Sequence, residues 1–304
     1  MQLHDMLTRV GFLIAIALVG IIVGKKFKTN QQDISTLLVY VITPAVMFVS
    51  VLQAPAGNYL RFSAAAFLIC SSSAILAYNL GRLLWRDNTK NLFAFAGGTG
   101  NTGYFGLPMA LALFDAHGAA VAVFLIFGAN LYDFTVGYFI TSRGKYGVRD
   151  SLRTVMRMPT LYAFALASLI KGTALMPGEV LIASMNNFKG AYSVLGMMVI
   201  GLTLSKIERF ALDWKFLLAA IGWKYVYWPT LGMLLITLFK DALAPVEQAA
   251  VLLMCCVPMA GNSVVIANQL QLHPEKAATA VMTSTLLAMA SMPGLMYLIQ
   301  HLQR

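Results

Sequence analysis

The chain has 304 residues, 59% hydrophobic and only 11% charged, with a mean hydropathy of +0.73; soluble domains carry roughly 25% charge, so the composition excludes a soluble fold in favour of a polytopic membrane protein. The net charge of +10 would suggest nucleic acid as a partner of a soluble domain, but here Lys and Arg gather in alternate short loops, where they set orientation. No Walker A or His-Glu-x-x-His motif occurs, and neither the 4 histidines nor the 3 cysteines are spaced as ligands, so neither an ATP-driven machine, an enzyme nor a metal site is expected.

A membrane span needs about 20 apolar residues, and on that ruler the chain divides into ten: Met6–Val23, Ile34–Gln53, Phe62–Leu83, Leu92–Phe114, Gly118–Thr141, Thr160–Lys171, Phe188–Lys206, Phe216–Phe239, Val246–Leu270 and Lys276–Gln300. The sixth is short, and the seventh follows an expected interfacial stretch, Glu179–Asn187. No cleavable signal peptide is expected, because the Lys cluster follows the first span instead of preceding it. The loops after spans 1, 3, 5 and 7 are Lys/Arg-rich (Lys25, Lys26, Lys28; Arg82, Arg86, Lys90; Arg143 to Arg157; Lys206, Arg209, Lys215), whereas the alternate loops carry mainly Arg61, Lys171 and Lys240. The basic loops are therefore cytoplasmic, and both termini lie outside the cell membrane.

The longest basic loop, Thr141–Met158, separates two five-span halves, residues 1–145 and 146–304. Five is odd, so the halves enter the membrane in opposite orientations, and span 4 is paired with span 9. Both partners are interrupted. Span 4 contains Gly97, Gly98, Gly100, Gly103, Gly106 and Pro108, and span 9 contains Pro258 and Gly261. Glycine costs about 1 kcal/mol and proline about 3 kcal/mol in a helix interior, so both segments are expected to unwind partway. Interrupted segments at corresponding places in two halves point to a transporter's binding site.

The two breaks share a Gly-Asn-hydroxyl sequence, Gly100-Asn101-Thr102 and Gly261-Asn262-Ser263. Free N–H groups at a helix end attract a carboxylate, and these side chains add donors at the same depth. The alternative is that the small residues only allow close helix approach. Tyr104 and Phe105 either line the site or pack in the core. Asp133, ten residues before Arg143, is about 15 Å inside the membrane edge, and Lys224 is at similar depth. Intramembrane charges mark pathways or relays. One reading makes Asp133 a proton site and Lys224 a substrate-carboxylate or coupling residue; the other pairs them with each other. Lys189 is read as an interfacial anchor. Pro44, Pro229 and Pro293 are expected to kink their helices, and Gly196 and Gly201 to mediate close packing.

The segments "GNTGYFGLPMAL" and "VPMAGNSVVIANQLQLHPEKAATAVMTSTLLAM", with "LLVYVITPAVMFVSVL" and "GMMVIGLTLSK", resemble the auxin efflux carrier family. That resemblance implies crossing spans 4 and 9, a scaffold of spans 1, 2, 6 and 7, a mobile bundle of spans 3–5 and 8–10, and a homodimer through the scaffold. It also implies that Asn101 contacts a substrate carboxylate, with Pro108 following it in the family's pattern. Span 3 lacks the intramembrane Asp/Lys pair of the plant members. The expected function is transport of small mono- or dicarboxylates by alternating access, without a cofactor and with H+ or Na+ as candidate coupling ions. A sodium-coupled symporter and a non-transporting ligand sensor are the alternatives.

Overall fold

The structure, a computed structural model, describes residues 3–27, 29–53, 60–173, 177–205 and 213–302, some helical side chains excepted. Lys28, Lys206 and Arg209 lie outside the described residues, as do the side chains of Tyr104, Pro108 and Pro293. The described residues form helices and short connections, with no strand. In chain order these are α1 (Leu3–Lys26), α2 (Gln31–Gln53), α3 (Leu60–Leu84), α4 (Thr89–Gly98), α5 (Leu107–Leu113), α6 (His117–Ser142) and α7 (Val148–Met156). They continue as α8 (Pro159–Lys171), α9 (Glu179–Ser205), α10 (residues 214–238), α11 (Pro245–Cys256), α12 (Asn262–Leu270) and α13 (Pro274–Leu302).

Local chemistry sets the starts. Asn30, Asp115 and Asp213 accept hydrogen bonds from the backbone N–H groups of Gln32, Gly118 and Phe216 at 3.2, 2.9 and 2.9 Å, satisfying donors that have no intrahelical acceptor. Proline opens α8 and α11, where its missing N–H costs nothing. Helices α2, α3, α6 and α9 are long and apolar enough to cross a membrane, and α8 and α11 are shorter apolar helices.

The prolines expected to kink helices act through local widening. A π-helical turn, Leu38–Ile42, precedes Pro44 in α2, and another, Trp223–Tyr227, precedes Pro229 in α10. A proline leaves a carbonyl one turn earlier without its partner, and a π turn re-satisfies it. A third π turn, Asp133–Gly137 in α6, has no proline beside it. Two stretches carry more helix than the sequence reading gave them. Glu179–Asn187, expected as an interfacial stretch before the seventh span, is helical and continuous with that span as the first part of α9. The basic loop Thr141–Met158 contains the helix α7, with Ser151 and Val155 buried and Arg149, Arg153 and Arg157 facing solvent.

Helix α1 runs along α9, while α2 lies against α8 and α9; α3 packs on α4 and α6, and α6 and α10 both pack on α11. The α1–α9 pair is held at backbone contact by glycine. A Cβ on Gly201 would sit 1.9 Å from the carbonyl oxygen of Ala17, and one on Gly20 2.7 Å from that of Met198. Without a solvent-driven hydrophobic force between helices in lipid, such approach supplies the packing.

Candidate functional site

The two interrupted segments meet. Helix α4 ends at Gly98, Thr99 is extended, Gly100 and Asn101 are non-helical, and a π turn over Thr102–Gly106 leads into α5. Helix α11 ends at Cys256, and residues 257–260 are non-helical before α12 begins at Asn262. At the contact, the N–H of Asn101 donates to the carbonyl of Pro258 at 2.8 Å. The carbonyl of Asn101 accepts from the N–H groups of Phe105 and Gly106 at 3.2 and 3.0 Å, which starts the π turn.

Side-chain donors converge on the carbonyl end of α4. Gly97 O accepts from Ser73 Oγ (2.7 Å), Trp223 Nε1 (3.0 Å) and Trp228 Nε1 (2.9 Å), and Tyr132 OH donates to Ala94 O and Phe95 O. Exposed backbone in an apolar interior survives only with such partners. Protein donors thus neutralise the negative end of α4, while the N-terminal start of α12, at Gly261 and Asn262, faces a cavity.

That cavity, about 370 Å³, is lined by Gly100, Asn101, Thr102 and Gly103 from the first break and Ala260, Gly261 and Asn262 from the second. Ligand pockets of this size take small molecules. Thr43, Ser50 and Gln53 of α2, Asn130 of α6 and Lys189 and Tyr192 of α9 complete its polar lining. Lys189 Nζ donates to Gln53 Oε1 at 2.6 Å, so the lysine read from the sequence as an interfacial anchor also lines the cavity. Tyr192 OH donates to Asn262 Oδ1 at 2.5 Å, and Asn262 Nδ2 donates to Asp133 Oδ2 at 2.7 Å.

The structure thus brings Gly100, Asn101, Thr102, Gly103, Gly261 and Asn262 to one cavity. Pro258 contributes its carbonyl to the crossing. Ser263 is fully buried behind it, its Oγ without a hydrogen-bond partner among the described residues. Phe105, 2% exposed, packs in the core. Asp133 and Lys224 do not pair. Asp133 is bonded to Asn262, and its Oδ1 has no hydrogen-bond partner among the described residues. Lys224 lines a second cavity, with Nζ 4.8 Å from the Trp228 ring centroid. At the other end, α12 is tied to α2 and α9: Thr36 Oγ1 donates to Gln269 Oε1 (2.8 Å), Gln271 Nε2 to Gln32 Oε1 (3.0 Å), and Asn268 Nδ2 to Thr203 Oγ1 (2.9 Å). The first cavity's lining runs along α2 from Thr43 to Gln53, with Lys189 at the Gln53 end.

Sequence reasoning missed Lys189, Tyr192, Asn130 and the α2 residues. A signal existed in α2, because Thr43, Ser50 and Gln53 recur at helical spacing and place polar groups on one stripe of an apolar helix.

Residues 192–303 match the Sodium Bile acid symporter family. An uncharacterised transporter of Methanocaldococcus jannaschii is 24% identical over 293 residues, covering 92% of this chain and 94% of that protein. A Rhizobium meliloti protein provisionally named a malonate transporter is 27% identical over 285 residues, covering 88% of this chain and 86% of its own. The comparisons are with transporters. The resemblance to the auxin efflux carrier family is corrected by this result: the run "VPMAGNSVVIANQL", taken as a mark of that family, lies inside the segment that matches the sodium bile acid symporters. Small and amide residues at a helix break answer to what any break requires, so they do not separate one transporter family from another. The residue roles and the dimer implied by that resemblance lose its support.

Proposed function

We propose that this chain is a multi-pass secondary transporter of small organic anions, mono- or dicarboxylates, working by alternating access across the cytoplasmic membrane. The observation that carries this is the Asn101 N–H···O=C Pro258 bond between two broken helices beside a cavity lined by Asn101, Thr102 and Asn262. In this reading residues 1–145 and 146–304 form a ten-span inverted repeat with both termini outside. Spans 1, 2, 6 and 7 act as scaffold, and spans 3–5 and 8–10 carry the substrate. The packing of α1 on α9 and of α2 on α8 supports the first group, and that of α3, α4, α6 and α11 the second. The name of the Rhizobium meliloti relative makes malonate the first substrate to try.

The substrate carboxylate is received by the side-chain amides of Asn101 and Asn262, the Thr102 hydroxyl and the N-terminal end of α12, with Lys189 supplying positive potential. Switching breaks the Thr36–Gln269, Gln32–Gln271 and Thr203–Asn268 bonds that tie α12 to α2 and α9. Uptake of one negative charge against an inside-negative potential of 100 mV costs about 2.3 kcal/mol, so concentrative uptake requires a coupled cation. The match to sodium symporters favours Na+, and the buried Asp133 carboxylate with its open Oδ1 fits either Na+ or H+.

Counterflow of labelled malonate in proteoliposomes tests the proposal. Saturable exchange supports a carrier, and binding without exchange would make the protein a sensor. Replacing sodium by choline stops uptake if sodium is the coupling ion.

A further inference from the structure

The second cavity, about 350 Å³, has no part in the transport cycle proposed for the first. It lies against the opposite side of the first break, with Gly100 and Thr102 lining both. Its lining includes the exposed residues Arg61, Ala65 and Phe239, which mark its open end. Lys224, 3% exposed, lies at depth against the break. A Cβ added to Gly100 would fall 2.5 Å from Lys224 Nζ, so the ammonium rests against the glycine backbone itself.

No Asp or Glu oxygen among the described residues reaches ion-pairing distance of that ammonium. The Trp228 ring face is its nearby partner. Arg61 at the mouth is already engaged, with Nη2 2.9 Å from Glu247 Oε1. Between these ends the walls are apolar, formed by Phe62, Leu125 and Met254 among others. A buried cation without a counter-charge is costly, and a cation at the closed end of an apolar tube is complementary to an anionic head carrying an apolar tail.

We propose that this second cavity binds a single-chain amphiphilic carboxylate of medium-chain fatty-acid size, its head on Lys224 and its chain directed toward Phe239. The site adjoins the one that takes small carboxylates, sharing Gly100 and Thr102 with it, but its anion rests on Lys224 and not on Asn101 or Asn262. Its occupant has two sources, a free fatty acid or an acyl chain of the bilayer, and only the first presents a carboxylate to Lys224.

The test uses the full chain in phosphatidylcholine nanodiscs and measures binding of labelled decanoate and of its methyl ester. Two variants are compared with the native protein. Lys224→Met removes the charge at similar length, a change that buried sites often tolerate without loss of stability. Ala65→Trp keeps Lys224 and fills the mouth from an exposed position. The expected result is saturable decanoate binding, at least tenfold weaker for the ester, lost in Lys224→Met and blocked in Ala65→Trp. Equal binding of acid and ester, or decanoate binding unchanged in Lys224→Met, would show a cavity that takes only lipid tails and would overturn the proposal. Malonate counterflow is read on the same preparations, so a native protein that shows counterflow but no saturable decanoate binding overturns this site alone and leaves the transport reading standing.

Discussion

Asn262 Nδ2 donates to Asp133 Oδ2 at 2.7 Å, which ties the start of α12 to the π turn of α6. The other side of the same amide accepts from Tyr192 OH, so its orientation is set from both ends and Asp133 must present an acceptor. Asp133→Asn retains an acceptor oxygen while deleting the charge. If Asp133 carries the coupling proton, this variant folds, exchanges malonate and shows a flat pH profile of counterflow. An unchanged profile would leave Asp133 as a structural partner of Asn262.

Asn101 contributes backbone to the crossing and side chain to the cavity. Asn101→Ala keeps the backbone bond to Pro258 and removes the amide. A hydrogen bond to a charged group is worth about 1.5–3 kcal/mol, so malonate affinity should fall roughly ten- to a hundredfold with an unchanged melting temperature. Near-native affinity in an equilibrium binding assay would remove Asn101 from the site.

Lys189 is held by Gln53 at 2.6 Å and faces the same cavity. Lys189→Gln should raise the KM for malonate by about tenfold, the counterpart of roughly 1.4 kcal/mol, and leave the maximal exchange rate within about twofold. The salt dependence of uptake should weaken in parallel. A variant with native KM would return this lysine to the role of interfacial anchor.

Two glycines of α9 make a paired test of the close helix contact. Gly201 faces the carbonyl of Ala17, whereas a Cβ on Gly190 meets nothing within 4 Å. Gly190→Ala should be neutral or slightly stabilising, since alanine is favoured by about 1 kcal/mol in a helix. Gly201→Ala should destabilise by about 1–3 kcal/mol through overpacking, read as a lower melting temperature in detergent. Equal melting temperatures would show that the α1–α9 pair adjusts without cost.

The breaks were readable in the residues because glycine and proline act locally: their density from Gly97 to Pro108, and the pair Pro258 and Gly261, make an uninterrupted helix costly. The cavity's other walls were not, because lining depends on how each helix is rotated against its neighbours. Lys189 has the spacing of an anchor at the end of a span, and only the continuation of α9 back to Glu179 places it beside Gln53 and Tyr192. The same holds for the two intramembrane charges. Their depths along the chain are alike, yet Asp133 faces the second break and Lys224 faces Gly100 from the other side of the first. The family was not legible for a different reason: the small and amide residues around Asn262 are what a helix break requires, and the segment that holds them matches the sodium bile acid symporters.

The account depends most on the crossing of the two breaks as the place where the anion sits. Its most direct test is an experimental structure of the protein saturated with the small carboxylate that passes the counterflow assay. Anion density within hydrogen-bonding distance of the Asn101 and Asn262 side chains, with Asn101 and Pro258 still joined, is the predicted result. Density elsewhere, or either helix continuous through its break, would contradict it.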